Sequence, residues 1–86
     1  MSHIPNKYIE IQNLSSPGKA FDSLENEFID IMYPSRVLEK GIIMLLDVGI
    51  DPHDKGTLDW LKELLGHVLY EIGETEFTLV PFERSE

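Results

Sequence analysis

Imidazole and carboxylate side chains, which bind zinc when no thiolate is present, are grouped in two short stretches of the sequence. The first stretch is 51–54, Asp-Pro-His-Asp, and the second is a helical segment in which glutamates stand four residues either side of His67. A His-Glu-x-x-His pattern is absent. Asp51 and Asp54 have a simpler interpretation as helix-capping residues. The sequence therefore predicts no metal site and no bound cofactor.

Covalent catalysis has few candidate groups in this chain. There is no cysteine, no Gly-x-Ser-x-Gly sequence and no glycine-rich phosphate loop, and the three histidines (His3, His53 and His67) have no evident serine partner. A chain of 86 residues also leaves little room for a pocket of roughly 300 Å³ or more. We therefore predict that the protein is not an enzyme.

One tripeptide, Asp22-Ser23-Leu24, resembles the phosphopantetheine attachment site of acyl carrier proteins, which are also small, acidic and helical. The resemblance would imply a prosthetic group on Ser23. In carrier proteins a full helix and a long loop precede that serine, whereas here only a strand and a turn are expected before it. Ser23 is also expected inside a helix, so the chain departs from the family pattern and no attachment site is assigned.

The only tryptophan, Trp60, is the strongest candidate for a binding residue. On a helix it lies about 120° from the centre of the apolar stripe formed by its neighbours. Tryptophan at the rim of an apolar face either packs over adjacent strands or anchors a partner protein, since it is enriched at binding hot spots. Both interpretations stay open. The residues predicted to share a partner-binding surface with it are Glu63, Leu64, His67 and Glu71 on the same helix, and Asp22 and Glu25 on an earlier one.

Hydrophobic periodicity predicts an α+β fold that is predominantly helical, with a three-helix core and two short strands near the termini. The strands are expected at about 7–12 and 76–80, and the helices at about 17–33, 35–48 and 52–72, the last beginning at 52 or 57. The strands should pair with each other beside the helices, or across a dimer, because an isolated strand leaves its backbone groups unsatisfied.

The first two predicted helices depend on two observations. Spacings of three and four residues indicate one buried stripe in the first helix, formed by Phe21, Leu24, Phe28 and Ile31. Pro34 should end that helix and force a corner. The following run 42–46, Ile-Ile-Met-Leu-Leu, is apolar in every direction around a helix axis, which is typical of a buried central helix.

Length and charge limit the classes of partner. The chain fits one domain over 1–86, with frayed ends at 1–6 and 83–86. Sixteen acidic residues against seven basic ones give a formal charge of −9, and the basic residues form no cluster. This charge repels nucleic acid and anionic membrane surfaces, so neither is expected as a partner, whereas a basic protein is compatible with it.

These observations together predict a small acidic protein-binding module. An inhibitor, an immunity or antitoxin-like protein, or a regulatory protein that covers a partner's surface is expected. The alternative is a structural subunit or a homodimerising accessory protein. The absence of cysteine and of a signal peptide favours a cytoplasmic location.

Overall fold

A computed structural model describes residues 6–84, and these form two helices packed beside one four-stranded antiparallel sheet. In chain order the elements are β1 (Asn6–Gln12), α1 (Pro17–Leu24), β2 (Met32–Val37), β3 (Ile42–Leu46), α2 (Lys55–Glu71) and β4 (Thr78–Arg84). The strand order across the sheet is β2-β3-β1-β4. This β-α-β-β-α-β order is the split β-α-β, or ferredoxin-like, topology. The prediction of a predominantly helical fold with a three-helix core is wrong.

The predicted helix over 35–48 is a strand, a turn and a second strand. In β3 the side chains of Ile42, Met44 and Leu46 are buried, while Ile43 and Leu45 between them are half-buried. A run of five apolar residues suits a central strand as well as a buried helix, and periodicity cannot separate the two. Antiparallel pairing of β3 with both β1 and β2 satisfies its backbone and decides for the strand.

The turn before β3 fits closely against β1. The backbone N–H of Leu14 donates to the carbonyl of Lys40 at 2.9 Å. At Gly41 a Cβ atom would overlap the carbonyl oxygen of Ile11, so only glycine allows this approach of the two backbones. These long-range contacts fix the position of the β2–β3 hairpin.

The predicted first helix over 17–33 is too long, because α1 ends at Leu24. Its start is confirmed, with Ser16 as the N-cap and Pro17 in the first turn. Met32 instead begins β2 and pairs with Leu46. The apolar stripe still points into the core, although its second half, Phe28 and Ile31, does so from the loop between α1 and β2 and not from a helix.

The two predicted strands pair with each other within the chain, as β1 and β4. The second begins at Thr78 and extends to Arg84, beyond the predicted range of 76–80. Pro81 lies in β4, and Pro34 lies in β2. These are the two edge strands, where a residue without an N–H is tolerated. Of the ends expected to fray, Asn6, Glu83 and Arg84 lie in strands, and residues 1–5 and 85–86 lie outside the described residues.

One face of the sheet packs against both helices to form the core. The sheet contributes Ile9, Ile11, Ile42 and Met44, all fully buried, and α2 contributes a stripe of three leucines at 61, 65 and 69. Helix α2 confirms the third predicted helix. Within residues 6–84 the opposite face of the sheet has no helix over it, since both helices belong to this cluster. No helix in that part of the chain has the length and apolarity needed to cross a bilayer.

Candidate functional site: the outer face of α2

Helix α2 begins at a side-chain cap. The carboxylate of the N-cap residue Asp54 accepts hydrogen bonds from the backbone N–H of Thr57 at 3.0 Å and from its hydroxyl at 2.9 Å. These two hydrogen bonds lower the pKa of Asp54 below its ordinary value, and the bond from the Thr57 N–H has the larger effect. Asp51 accepts from the N–H of His53 at 3.0 Å. The interpretation of Asp54 as a capping residue is confirmed.

Helix α2 ends in a Schellman motif. The N–H of Gly73 donates to Tyr70 at 3.1 Å, and the N–H of Glu74 donates to Leu69 at 2.9 Å. Gly73 has a φ of +82°, a conformation that favours glycine. This turn reverses the chain and brings Phe77, which precedes β4, back against the helix.

The residues predicted to bind a partner are accessible to different extents. Trp60 is 42% exposed, so it is neither covered by the strands nor free on all sides. Glu63, His67 and Glu71 are exposed and Leu64 is half-buried. On α1, Asp22 is exposed, and Glu25 is exposed at its C-cap.

A groove of about 360 Å³ runs along the outer face of α2. Its lining residues are Asp59, Lys62, Glu63, Gly66, His67, Tyr70 and Phe77. We call this feature the α2 groove. Of the predicted residues it includes Glu63 and His67, whereas Trp60, Leu64 and Glu71 lie elsewhere on the helix and the two carboxylates of α1 are not part of it.

Gly66 forms the floor of the α2 groove because it has no side chain. The rings of Tyr70 and Phe77 flank it, and each would come within 3.7–3.8 Å of a Cβ atom placed there. The two ring centroids are 6.3 Å apart with an interplanar angle of 57°. Phe77 is buried, whereas Tyr70 is 58% exposed and provides an accessible aromatic wall.

The charges along the α2 groove are of mixed sign. Asp59 is paired with Lys55 at 3.1 Å, on the preceding turn of the helix. Glu63 makes no ion pair with any residue of 6–84, and neither does Lys62. A groove that is lined by carboxylates and by an exposed aromatic ring can attract a cationic group by charge and bind it on the ring face.

Several groove residues were not predicted. Tyr70 carried a usable signal, since it lies three residues after His67 and four after Gly66 on the same side of the helix. Phe77 carried none, because its contact depends on the reversal at Gly73. No cluster of three or more potential metal ligands occurs in the described part of the chain. No family model, no curated protein and no solved structure matches this chain.

Proposed function

We propose that the protein is a small acidic protein-binding module that uses the outer face of α2 to bind a basic segment of another protein. The observation that carries this proposal is the α2 groove, which is lined by an exposed aromatic ring, Tyr70, and, two helical turns earlier, by the carboxylate of Glu63. An inhibitor, an immunity or antitoxin-like protein, or a regulatory protein would act in this way. The topology adds no support, because unrelated functions share it.

The chemistry of the α2 groove suits an arginine or lysine side chain. A guanidinium can stack on the ring of Tyr70, and the carboxylate of Glu63 in the same groove attracts its positive charge. The groove volume of about 360 Å³ is at the small end of the range for ligand sites, which favours one side chain and not a large cofactor. A basic partner would be steered by the net charge of −9, which speeds the encounter of opposite charges.

Trp60 would supply apolar contact area beside the groove. At 42% exposure it can still bury surface against a partner, and tryptophan is frequent among the residues that dominate binding energy. We expect Trp60→Ala to raise the rate at which the partner dissociates, and Glu63→Lys to act chiefly by lowering the rate at which it associates. The cytoplasmic location expected from the sequence remains a prediction.

The experiment is an NMR titration of the ¹⁵N-labelled protein with a short arginine-containing peptide, and with the same peptide carrying citrulline in place of arginine. We expect shifts concentrated at residues of the α2 groove and at the indole of Trp60, and weaker shifts with the citrulline peptide. Shifts that are equal for both peptides, or that lie away from α2, would contradict the proposal.

A second experiment identifies the physiological partner. The immobilised protein, its Trp60→Ala variant and a Val48→Ala control are used to capture proteins from lysate. Val48 is 79% exposed and lies in the loop between β3 and α2, so its truncation changes exposed apolar surface away from the groove. A basic protein retained by the parent and by Val48→Ala, and lost with Trp60→Ala, is the expected result. Equal retention by all three would count against the α2 surface.

A further inference from the structure

The sheet face that lies away from the helices carries a continuous apolar row across all four strands. The register pairs Tyr33 with Leu45, Leu45 with Tyr8, and Tyr8 with Phe82, so these side chains lie on the same face. The rings of Tyr8 and Phe82 stack with centroids 5.0 Å apart. Tyr33 is 47% exposed. Leu45 and Phe82 are half-buried and Tyr8 is only 8% exposed, although none of the four belongs to the cluster beneath the helices.

A second row on this open face combines apolar and charged residues. Arg36 pairs with Ile43, Ile43 with Glu10, and Glu10 with Val80. Glu10 accepts a hydrogen bond from the amide of Gln12 at 3.0 Å, and Arg36 makes no ion pair with any residue of the described chain. Arg36 and Glu10 therefore stand two strands apart, with Ile43 between them.

The charge of the open face differs from that of the rest of the protein. Its strand residues include one carboxylate, Glu10, and two guanidinium groups, Arg36 and Arg84, which gives +2 − 1 = +1 against −9 for the whole chain. Most of the acidic residues lie on the helices and in the loops. Two copies can therefore bring their open faces together without bringing most of their carboxylates together.

We propose that the open face is the interface of a homodimer in which two sheets pack face to face about a two-fold axis parallel to β3. This axis exchanges β2 with β1 of the other copy. It places Arg36 of each copy over Glu10 of the other, and so forms two equivalent ion pairs, as a closed two-fold interface requires. Ile43 and Leu45 lie on the axis and contact their own counterparts. An axis between β3 and β1 would instead place Glu10 over Ile43 and leave it unpaired.

The alternative in which two chains share one sheet is less favourable. Both exposed edges contain a proline, Pro34 in β2 and Pro81 in β4, and β2 has a register shift between Pro34 and Arg36. Prolines and bulges protect an edge from pairing with another chain. Packing through the open face needs no free edge, and aligned sheets commonly pack in this way.

The size of the overlap predicts a weak dimer. Three strands about 4.8 Å apart, overlapping over the five to six residues of β3 and β2, cover roughly 14 by 18 Å, about 250 Å² of flat area per copy. Side chains add contact area beyond this flat estimate, but the total surface buried by both copies stays below the roughly 1,200 Å² of standard interfaces. The dimer should therefore form in the micromolar to millimolar range and leave both α2 surfaces accessible on its outside.

The test is sedimentation equilibrium of the full chain from about 10 μM to about 1 mM, a range in which interfaces of this size associate. We expect concentration-dependent dimerisation. Arg36→Glu places a glutamate over Glu10 of the other copy, and the repulsion should raise the dimer dissociation constant about tenfold or more. Glu10→Arg places an arginine over Arg36 of the other copy and should have the same effect. The double variant Arg36→Glu/Glu10→Arg exchanges the charges and should restore dimerisation.

Arg84→Glu is the matched control, because it makes the same charge change on the same face, in β4 outside the overlap. It should leave the dissociation constant nearly unchanged, and thermal melts should show that every variant is folded. A monomer at all concentrations, equal effects of Arg84→Glu and Arg36→Glu, or a double variant that fails to restore the dimer would each overturn the proposal. If the protein stays monomeric and the NMR resonances of its open face shift when a single-stranded oligonucleotide is added, the dimer proposal is wrong and the face binds bases by stacking.

Discussion

The carboxylate of Glu74 accepts a hydrogen bond from the backbone N–H of Ser16 at 2.7 Å, and its second oxygen accepts one from the N–H of Ser15 at 2.9 Å. Ser16 is the N-cap of α1, and its own side chain makes no capping hydrogen bond. Glu74 is 4% exposed and immediately follows the Schellman turn of α2. A buried carboxylate thus ties the end of one helix to the beginning of the other.

Glu74→Gln should destabilise the protein. Ser15 and Ser16 donate to different carboxylate oxygens, and the amide replaces one of these oxygens with an NH₂ donor, so one backbone N–H faces a group that cannot accept. We expect a loss of about 1–3 kcal/mol in the free energy of unfolding, typical of hydrogen bonds to a buried charged group. Urea denaturation measures it. Glu76→Gln, at an exposed position whose side chain makes no hydrogen bond within residues 6–84, is the control. Equal stability of both variants would show that the tie is unimportant.

Asp54→Asn should reveal a pH-dependent contribution of the α2 cap. Hydrogen bonds from Thr57 lower the pKa of Asp54 in the folded state below its ordinary value of 3.8. Its stabilising effect is therefore present above that value and is lost as the pH falls through the folded pKa. Asparagine can still cap but does not titrate. The melting temperature of the parent should exceed that of the variant at neutral pH, and the difference should shrink below about pH 4.

The control for this experiment is Asp47→Asn, an exposed position whose side chain makes no hydrogen bond within the described chain. The difference in melting temperature between the parent and Asp47→Asn should stay nearly the same from neutral to acid pH. If the parent and Asp54→Asn differ in melting temperature by the same amount at neutral and acid pH, the charge of Asp54 does not contribute to the stability of the folded protein.

Alanine substitutions along β3 should alternate in their effect. Ile42 and Met44 are fully buried against the helices, so Ile42→Ala or Met44→Ala should lower the free energy of unfolding by about 2–5 kcal/mol. Leu45 is half-buried on the open face, and Leu45→Ala should lower it less. Chemical denaturation at low protein concentration measures the monomer. Equal losses at 44 and 45 would contradict a strand with one face in the core.

Gly66→Ala should stabilise α2. A methyl group there meets Tyr70 and Phe77 at 3.7 and 3.8 Å, which is ordinary contact, and alanine is favoured over glycine inside a helix by about 0.5–1 kcal/mol. Gly73→Ala should have the opposite effect, a loss of about 1–2 kcal/mol, because its φ is +82°. Thermal melts of the two variants compare them directly. Destabilisation by Gly66→Ala would mean that the floor of the α2 groove tolerates no methyl group.

The sequence alone determined α2 and the presence of a strand near each end of the chain. The periodic leucines and the Asp54 cap are local signals, and local signals specify a helix of 17 residues without help from the rest of the chain. The alternating residues of β1 identified a strand, and the need to satisfy its backbone predicted a pairing with the second strand, which the structure places within the same chain. The predicted apolar stripe of Phe21, Leu24, Phe28 and Ile31 does pack in or against the core.

Only the tertiary structure decided what 35–48 forms and where the α2 groove lies. The run from Ile42 to Leu46 has no period that separates strand from helix, so hydrogen bonds to β1 and β2, distant in sequence, determine its conformation. The α2 groove depends on Phe77 returning to Gly66 after the turn at Gly73. Neither the strand pairing of β3 nor the packing of Phe77 on Gly66 leaves a local sequence pattern. Each brings together residues that are distant in sequence and that meet only when the chain has folded.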